Sequence, residues 1–213
     1  MKHFPVSRRG LLIVGAGAAM LPLRQSLAAT LAATPSQTEG PFYPVALPVD
    51  ADNDLVQVHG QAAQAMGVIL HLQGRVLDGE GRPLPGALVE IWQCDAQGLY
   101  DHPRQPGRER RDHAFQGYGC MQADAQGRYQ FRTLKPVAYP GRTPHIHLKA
   151  ATANGGLLTS QFYIAGDPRN DADFVFRSAA RDPRQRERIE MRLAPAPGLE
   201  AGALATAMDI VIV

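Results

Sequence analysis

The chain has 213 residues, of which 45% are hydrophobic and 20% are charged, and its formal net charge is +2. This composition is typical of a globular protein with one well-packed core, and it excludes a disordered or low-complexity chain. The positive charge comes from the first 28 residues, which contain four basic residues and no acidic ones. The remainder therefore carries +2 − 4 = −2, which gives no indication of nucleic-acid binding.

The N-terminus is predicted to be an export signal. Arg8 and Arg9 precede an apolar run, Leu11–Leu23, and small residues follow it, an arrangement that resembles a twin-arginine signal cleaved after Ala28 or, alternatively, after Ala33. The run contains glycine and proline and is too short to span a bilayer as a helix. We therefore expect no stable membrane span after processing, with a retained amphipathic anchor as the alternative. The expected location is the periplasm or the outside of the cell.

Residues 29–67 are interpreted as an N-terminal arm and residues 68–213 as one β-sandwich domain. Short apolar or β-branched stretches alternate with glycine-containing turns, and helical periodicity is weak. The pattern predicts seven strands: Val68–Leu77, Ala87–Gln93, Gly127–Arg132, His145–Ala150, Leu157–Ile164, Glu187–Leu193 and Met208–Val213. The expected fold is an all-β, antiparallel or mixed sandwich, with long active-site loops between Tyr100 and Tyr118 and between Lys135 and Pro144.

The sequence His145-Ile146-His147 is the first candidate for a functional site. Alternate side chains of a strand share a face, so both imidazoles should project together while Ile146 enters the opposite layer. Tyr139 lies six residues before His145, and Tyr100 precedes the first long loop, which offers two phenols to the same metal. Imidazole suits zinc, copper, nickel or iron, whereas two phenolates favour a hard trivalent ion such as iron(III). A solvated or hydrogen-bonded histidine pair without metal is the alternative.

Charge balance favours a buried centre of this composition. A trivalent ion with two phenolates, one hydroxide and two neutral imidazoles has no net charge. Such a cluster avoids most of the free-energy cost of burying an ion.

The remaining histidines and cysteines are interpreted as structural. His102 and His113 lie in a loop that also holds two aspartates, but the loop context predicts solvent exposure and not a metal site. Cys94 and Cys120 are the only cysteines. They could pair in an oxidising compartment, or remain small buried apolar side chains.

An ordered series of segments resembles the intradiol ring-cleavage dioxygenases, the family of protocatechuate 3,4-dioxygenase and the catechol dioxygenases. The segments are Thr38–Pro44, Gly74–Asp78, Pro85–Gln93, Gly98–Tyr100, Tyr129–Pro136, Tyr139-Pro140 and Arg142–His147. The resemblance is specific because the segments are dense and in the family's order. It implies a non-haem iron(III) enzyme that inserts both atoms of O2 into a catechol-type aromatic diol and gives a cis,cis-muconate-type diacid.

The resemblance also implies the ligands of the metal. Tyr100, Tyr139, His145 and His147 correspond to the four protein ligands of Fe(3+), with a solvent hydroxide as the fifth ligand. Tyr139 corresponds to the ligand that a bound catechol dianion displaces. The hydroxide and the freed phenolate would then accept the two substrate protons.

Residues around the metal complete the predicted site. Arg142 would stabilise negative charge on the substrate ring and its oxygens. Gln161 would orient a ligand imidazole or the head of Arg142 through hydrogen bonds. Gly40, Pro41 and Tyr43, from the segment that resembles the family's first motif, are predicted to contact the substrate together with Arg142.

Two departures from the family pattern limit the substrate assignment. Only Pro140-Gly141 separates Tyr139 from Arg142, so the pocket wall is shorter than in protocatechuate-cleaving relatives. Residues 29–67 cannot supply the helical domain that precedes the sandwich in catechol and hydroxyquinol dioxygenases. The chain is therefore closer to a single protocatechuate-type subunit or to an exported branch of the family, with a homodimer as the expected assembly. The ring substituents of the substrate are not identified.

Two other functions are alternatives to ring cleavage. Gly74-Arg75-Val76 and Pro83–Ala87 also resemble transthyretin-like sandwich modules, which bind ligands without catalysis. Such a module does not need the two tyrosines and two histidines together. A divalent-metal hydrolase would be active without oxygen and would lack a phenolate-to-iron absorption band.

Overall fold

The computed structural model describes residues 30–213, so the predicted signal in residues 1–28 lies outside the described residues. The strands in this range are β1 (Ile69–Asp78), β2 (Leu88–Trp92), β3 (Tyr118–Gln122), β4 (Arg128–Leu134), β5 (His145–Ala151), β6 (Leu157–Ile164), β7 (Glu190–Met191), β8 (Ala194–Pro195), β9 (Leu204–Ala207) and β10 (Ile210–Ile212). The connections contain two short α-helices, α1 (Phe174–Ala179) and α2 (Pro183–Arg186), and 3-10 turns at Arg108–Arg110 and Asn170–Ala172. Across residues 30–213, no helix is both long enough and apolar enough to cross a membrane.

The strands form two five-stranded sheets. In the first sheet, β1 pairs with β4 in antiparallel fashion and with β9 and β10 in parallel, and β8 pairs with β9. In the second sheet the order is β3-β2-β5-β6-β7, and only the pair of β6 and β7 is parallel. The fold is therefore an all-β sandwich of mixed sheets, as the sequence predicts.

The main core lies between the two sheets. Leu72 of β1 and Phe131 of β4 meet Ile91 of β2, Ile146 of β5 and Phe162 of β6 in one buried cluster. Because successive side chains of a strand point to opposite faces, the neighbours of the second sheet's core residues project away from the core. The outer face of this sheet is where the site lies.

Pairing of β5 with both of its neighbours aligns a row of side chains on that outer face. Trp92 is opposite His147, which is opposite Gln161, and His145 is opposite Tyr163. All five residues are buried, although they do not face the inter-sheet core. They are covered instead by the connections between β2 and β3 and between β4 and β5, by the N-terminal arm, and by α1, whose Phe176 packs on Tyr163.

The arm is an integral part of the folded domain. Leu55 and Val56 are fully buried in the main core. Arg132 of β4 binds Asp54 of the arm at 3.0 Å and Glu200 of the β8–β9 connection at 2.6 Å. These contacts fasten the arm to the first sheet, after residues 37–43 have run along the second sheet.

Several predicted boundaries differ from the structure. The second sheet begins with β3, a strand that the sequence analysis did not predict, because Gly117 and Gly119 indicate a turn. A side chain at Gly119 would place its Cβ 2.5 Å from the carbonyl oxygen of Asp52, so glycine allows the arm to approach the strand closely. The predicted strand Glu187–Leu193 contracts to β7, and the helices α1 and α2 precede it.

Candidate metal centre

The two histidines of β5 present their Nε2 atoms to the same point. His145 and His147 are both 1% exposed, and their Nε2 atoms are 3.1 Å apart. The Nδ1 atom of His145 lies 2.7 Å from the carbonyl oxygen of Thr143, which only accepts hydrogen bonds. Nδ1 therefore carries the proton, and the Nε2 lone pair of His145 is free to bind a metal.

Both predicted phenols lie beside this pair. The Tyr139 hydroxyl is 3.4 Å from Nε2 of His145, and the ring of Tyr100 is 5.7 Å from that of Tyr139 and 6.2 Å from that of His147. Among the described residues, the buried hydroxyl of Tyr100 and Nδ1 of His147 have no hydrogen-bond partner. An unpartnered buried phenol is costly unless another group, such as a cation, satisfies its oxygen.

The spacing and the chemistry of these donors fit a metal ion. In zinc proteins imidazole nitrogens lie about 2.0–2.1 Å from the metal, so two nitrogens at a right angle are about 3 Å apart. The separation of the two Nε2 atoms, 3.1 Å, matches that value. Two nitrogens and two phenol oxygens form a donor set suited to a hard trivalent cation once the phenols are deprotonated.

Burial determines the protonation of the four donors. It lowers the pKa of His145 to about 3, with the Arg142 cation adding to the effect, and it lowers the pKa of His147 well below its ordinary value. It also raises the pKa of Tyr100 well above the ordinary value. Burial raises the pKa of Tyr139 as well, although the charge of Arg142 opposes the shift. Without a cation, the imidazoles are neutral and the phenols keep their protons.

Arg142 lies at the edge of the centre in a hydrogen-bonded network. Its Nε donates to Asp173 at 2.8 Å, and its Nη2 donates to the side-chain oxygen of Gln161 at 2.6 Å. The amide nitrogen of Gln161 in turn donates to the carbonyl of Thr38 at 3.0 Å. Of the two orientations predicted for Gln161, the structure places it on Arg142 and not on a ligand imidazole.

The N-terminal arm closes the other side of the centre. Gly40 approaches His147 so closely that a Cβ there would be 3.2 Å from Cε1 of the imidazole, and its φ of +76° favours glycine. Phe42 stacks on Tyr100 with ring centroids 4.7 Å apart, and Trp92 stacks on His147 at 4.8 Å. These contacts fix the planes of one phenol and one imidazole.

The structure does not bring all predicted substrate contacts to the centre. Tyr43 packs edge-on against Trp92 at 5.0 Å, and its hydroxyl donates to Glu90 at 2.8 Å. Lys149 covers the Tyr43 ring at 3.7 Å. Pro41 is exposed. Tyr43 thus lies behind Trp92, whereas Gly40 and Arg142 border the metal donors.

His102, His113 and the two cysteines are not among the four candidate donors, although Cys94 packs in the same buried cluster as Tyr100. His113 is exposed as predicted, but the prediction for His102 is wrong, since it is 2% exposed and packs edge-on against Phe42. Its Nδ1 accepts a hydrogen bond from the backbone of Arg104. Within residues 30–213, no three residues drawn from His, Cys, Asp and Glu are grouped to hold a metal. Both cysteines are free thiols, so the predicted disulfide alternative is not formed.

Asp173 lies beside the candidate site, and the sequence analysis did not select it. It precedes α1, accepts the N–H of Phe176 at 3.0 Å, and is 2% exposed. Burial alone would raise its pKa, but the N–H groups of Phe176 and Thr143 and the guanidinium of Arg142 hold the pKa below its usual value. An Asp at the start of a short helix indicates only a helix cap, so its contact with Arg142 was not predictable from local sequence.

A cleft of about 240 Å³ opens beside the centre. Tyr139, Arg142 and Asp173 line it, together with Gly141 and Thr143. Tyr139 is the one predicted ligand that is only partly buried, so it is the donor that meets the cleft.

The comparisons with known proteins identify the family. The family model described as Dioxygenase matches residues 38–195. The chain is 36% identical over 172 residues to the protocatechuate 3,4-dioxygenase beta chain of Burkholderia cepacia, covering 76% of this chain and 71% of that one. It is 30% identical over 162 residues to catechol 1,2-dioxygenase of Acinetobacter baylyi, covering 68% of this chain and half of that relative.

Solved structures give the same result. The dioxygenase domain of a carbohydrate-binding fusion protein from Streptomyces sp. SirexAA-E is 32% identical, with a TM-score of 0.65, and the match covers 84% of this chain and 97% of that chain. Catechol 1,2-dioxygenase of Acinetobacter sp. ADP1 is 27% identical with the same TM-score, but the match covers only 62% of that chain. The chain belongs to the intradiol ring-cleavage dioxygenases.

We predict that Gly40→Ala weakens metal binding through contact with His147. Gly60 is the matched control, because its φ is +79° and a Cβ added there would have no atom within 4 Å. Both variants bear a backbone cost of about 1–2 kcal/mol, but only Gly40→Ala crowds an imidazole. We expect about a 10- to 100-fold loss of metal affinity for Gly40→Ala alone, measured by competition with a chelator. Equal affinities in the two variants would contradict the assigned contact.

We also predict that the metal-free protein loses stability as the pH falls below about 6.5. The folded-state pKa of His145 is about 3, below the unfolded value, so the unfolded chain binds more protons between these two pKa values. The contribution of these neutral histidines to the free energy of unfolding is therefore fully present above the unfolded pKa. It is lost as the pH falls. Each of the two buried imidazoles should cost about 2 kcal/mol at pH 5 in urea unfolding. His113→Gln should retain this slope, whereas a profile that is flat from pH 7 to pH 5 would disprove the assigned burial.

Proposed function

We propose that Tyr100, Tyr139, His145 and His147 hold a non-haem iron(III) ion and that the protein cleaves catechol-type aromatic diols. The observation that carries the proposal is the convergence of two imidazole nitrogens, 3.1 Å apart, with two phenols in a buried site. The Tyr100 hydroxyl, unpartnered among the described residues, supports a cation at this point. The names of the relatives support the substrate class, since they include protocatechuate, catechol and hydroxyquinol dioxygenases.

Iron(III) bound here would supply a Lewis-acid and redox centre that activates the catechol ring toward O2. Tyr139 is placed to move protons, because its phenol is partly exposed and borders the cleft. A Tyr139 phenolate at this position would accept a proton from the bound diol. Tyr100, which is 2% exposed and stacked on Phe42, stays in place.

Arg142 is placed to stabilise the negative charge of a bound diol. The guanidinium provides a permanent cation at the edge of the cleft, where it can stabilise negative charge on the ring oxygens. Gln161 holds one end of that guanidinium at 2.6 Å. Gly40 leaves room beside His147, and Tyr43 and Pro41 as substrate contacts stay predictions.

The proposed reaction adds both atoms of O2 to the diol. The bond between the two hydroxylated ring carbons breaks, and each of these carbons becomes a carboxyl group. Catechol plus O2 thus gives a cis,cis-muconate-type diacid with no other oxidant. Export to the periplasm or outside the cell is part of the proposal and is supported by Arg8-Arg9 and the apolar run that follows. A homodimer stays a prediction.

Product analysis under ¹⁸O₂ tests this function. We expect the purified iron-loaded protein to convert catechol to a ring-opened diacid that contains oxygen from ¹⁸O₂, with one O2 consumed per diol. His147→Asn should abolish conversion, because it removes a nitrogen donor, whereas the exposed His113→Gln should retain it. Binding of catechol without oxygen uptake would favour a transthyretin-like binding module. Turnover without oxygen would favour a hydrolase.

A further inference from the structure

Asp173 is fixed from three directions at the edge of the cleft. Its Oδ2 accepts Nε of Arg142 at 2.8 Å and the N–H of Thr143 at 3.0 Å. Its Oδ1 accepts the N–H of Phe176 at 3.0 Å. The side chain is 1% exposed. A carboxylate held in this way has one position and one orientation.

Arg142 depends on this carboxylate for its own orientation. The side chain of an arginine has five N–H donors in a planar fork and loses considerable rotamer entropy when it is fixed. Asp173 holds Nε, and Gln161 holds Nη2 at 2.6 Å. With both ends of the fork anchored, the remaining N–H donors have a defined direction. Arg142, Tyr139 and Asp173 line the same cleft.

We propose that Asp173 is a positioning residue for ring cleavage, which sets the Arg142 guanidinium beside Tyr139. The inference rests on the proposed function, because the charge that Arg142 meets is that of the substrate. The carboxylate contributes through Arg142 and does not itself touch the reacting atoms. Truncating one partner of a buried pair leaves the other charge uncompensated, so loss of Asp173 should release the guanidinium from its place.

A purely structural role for Asp173 gives a different result. The N–H of Thr143 binds Asp173, and the carbonyl of Thr143 receives Nδ1–H of His145 at 2.7 Å. If Asp173 acted mainly through this connection, its loss would disturb a metal donor. Iron content would then fall together with activity. If it acts through Arg142, the iron site stays intact while turnover falls.

A double-mutant cycle separates these roles. We expect Asp173→Asn to retain iron and to lower kcat/KM for catechol by about 10- to 100-fold, mainly through kcat. Arg142→Lys should show the same pattern, and the double variant should be no slower than Arg142→Lys alone. Asp182→Asn is the matched control, since Asp182 caps α2 through the N–H of Arg184 at 2.8 Å. It should leave kcat unchanged.

A second readout does not depend on turnover. In metal-free protein, the Arg142 Nε–H should give a slowly exchanging ¹H–¹⁵N signal that is lost in Asp173→Asn and kept in Asp182→Asn. Asp173→Ser retains a cap for α1 and should behave like Asp173→Asn. It replaces Asp173→Asn in the test if that variant does not fold. Three results would overturn the inference and leave the proposed function intact. They are wild-type activity in Asp173→Asn, additive effects in the cycle, and loss of iron in proportion to activity. A wild-type protein that does not cleave catechol would overturn the proposed function and the inference with it.

Discussion

Successive side chains of β5 alternate between the core and the candidate site. Ile146 is fully buried between the sheets, so His145 and His147 must project from the opposite face of the same strand. Moving the strand by one residue would place both imidazoles in the apolar core, which the pairing with β2 and β6 prevents. The hydrophobic core therefore sets the direction of two candidate metal donors.

The outer face of the second sheet is buried by connections and by α1, and not by a further sheet. The arm brings Gly40 against His147, and the β2–β3 and β4–β5 connections bring Tyr100 and Tyr139. Burial keeps the imidazoles neutral and the phenols protonated. Burying polar groups that lack hydrogen-bond partners costs free energy. A trivalent cation together with two phenolates and one hydroxide would carry no net charge, so the burial that is costly in the metal-free protein favours metal binding.

The fold class and the convergence of the four candidate donors could be predicted from the sequence pattern and the family resemblance. Period-two alternation marks β5, and the resemblance covers Tyr100 and Tyr139 as well. The strand β3 was missed because Gly119 indicates a turn until its approach to Asp52 is known. The contact of Asp173 with Arg142 could not be predicted, since it joins a helix cap to a distant loop. Such contacts depend on tertiary packing, which local propensity does not encode.

The central claim is that these four side chains bind iron(III), and a visible absorption spectrum tests it most directly. The purified protein should be measured with its iron content quantified, before and after anaerobic addition of catechol. We expect a tyrosinate-to-iron(III) charge-transfer band that shifts to longer wavelength when catechol binds. A protein that stays colourless after reconstitution with iron would contradict the four-ligand assignment.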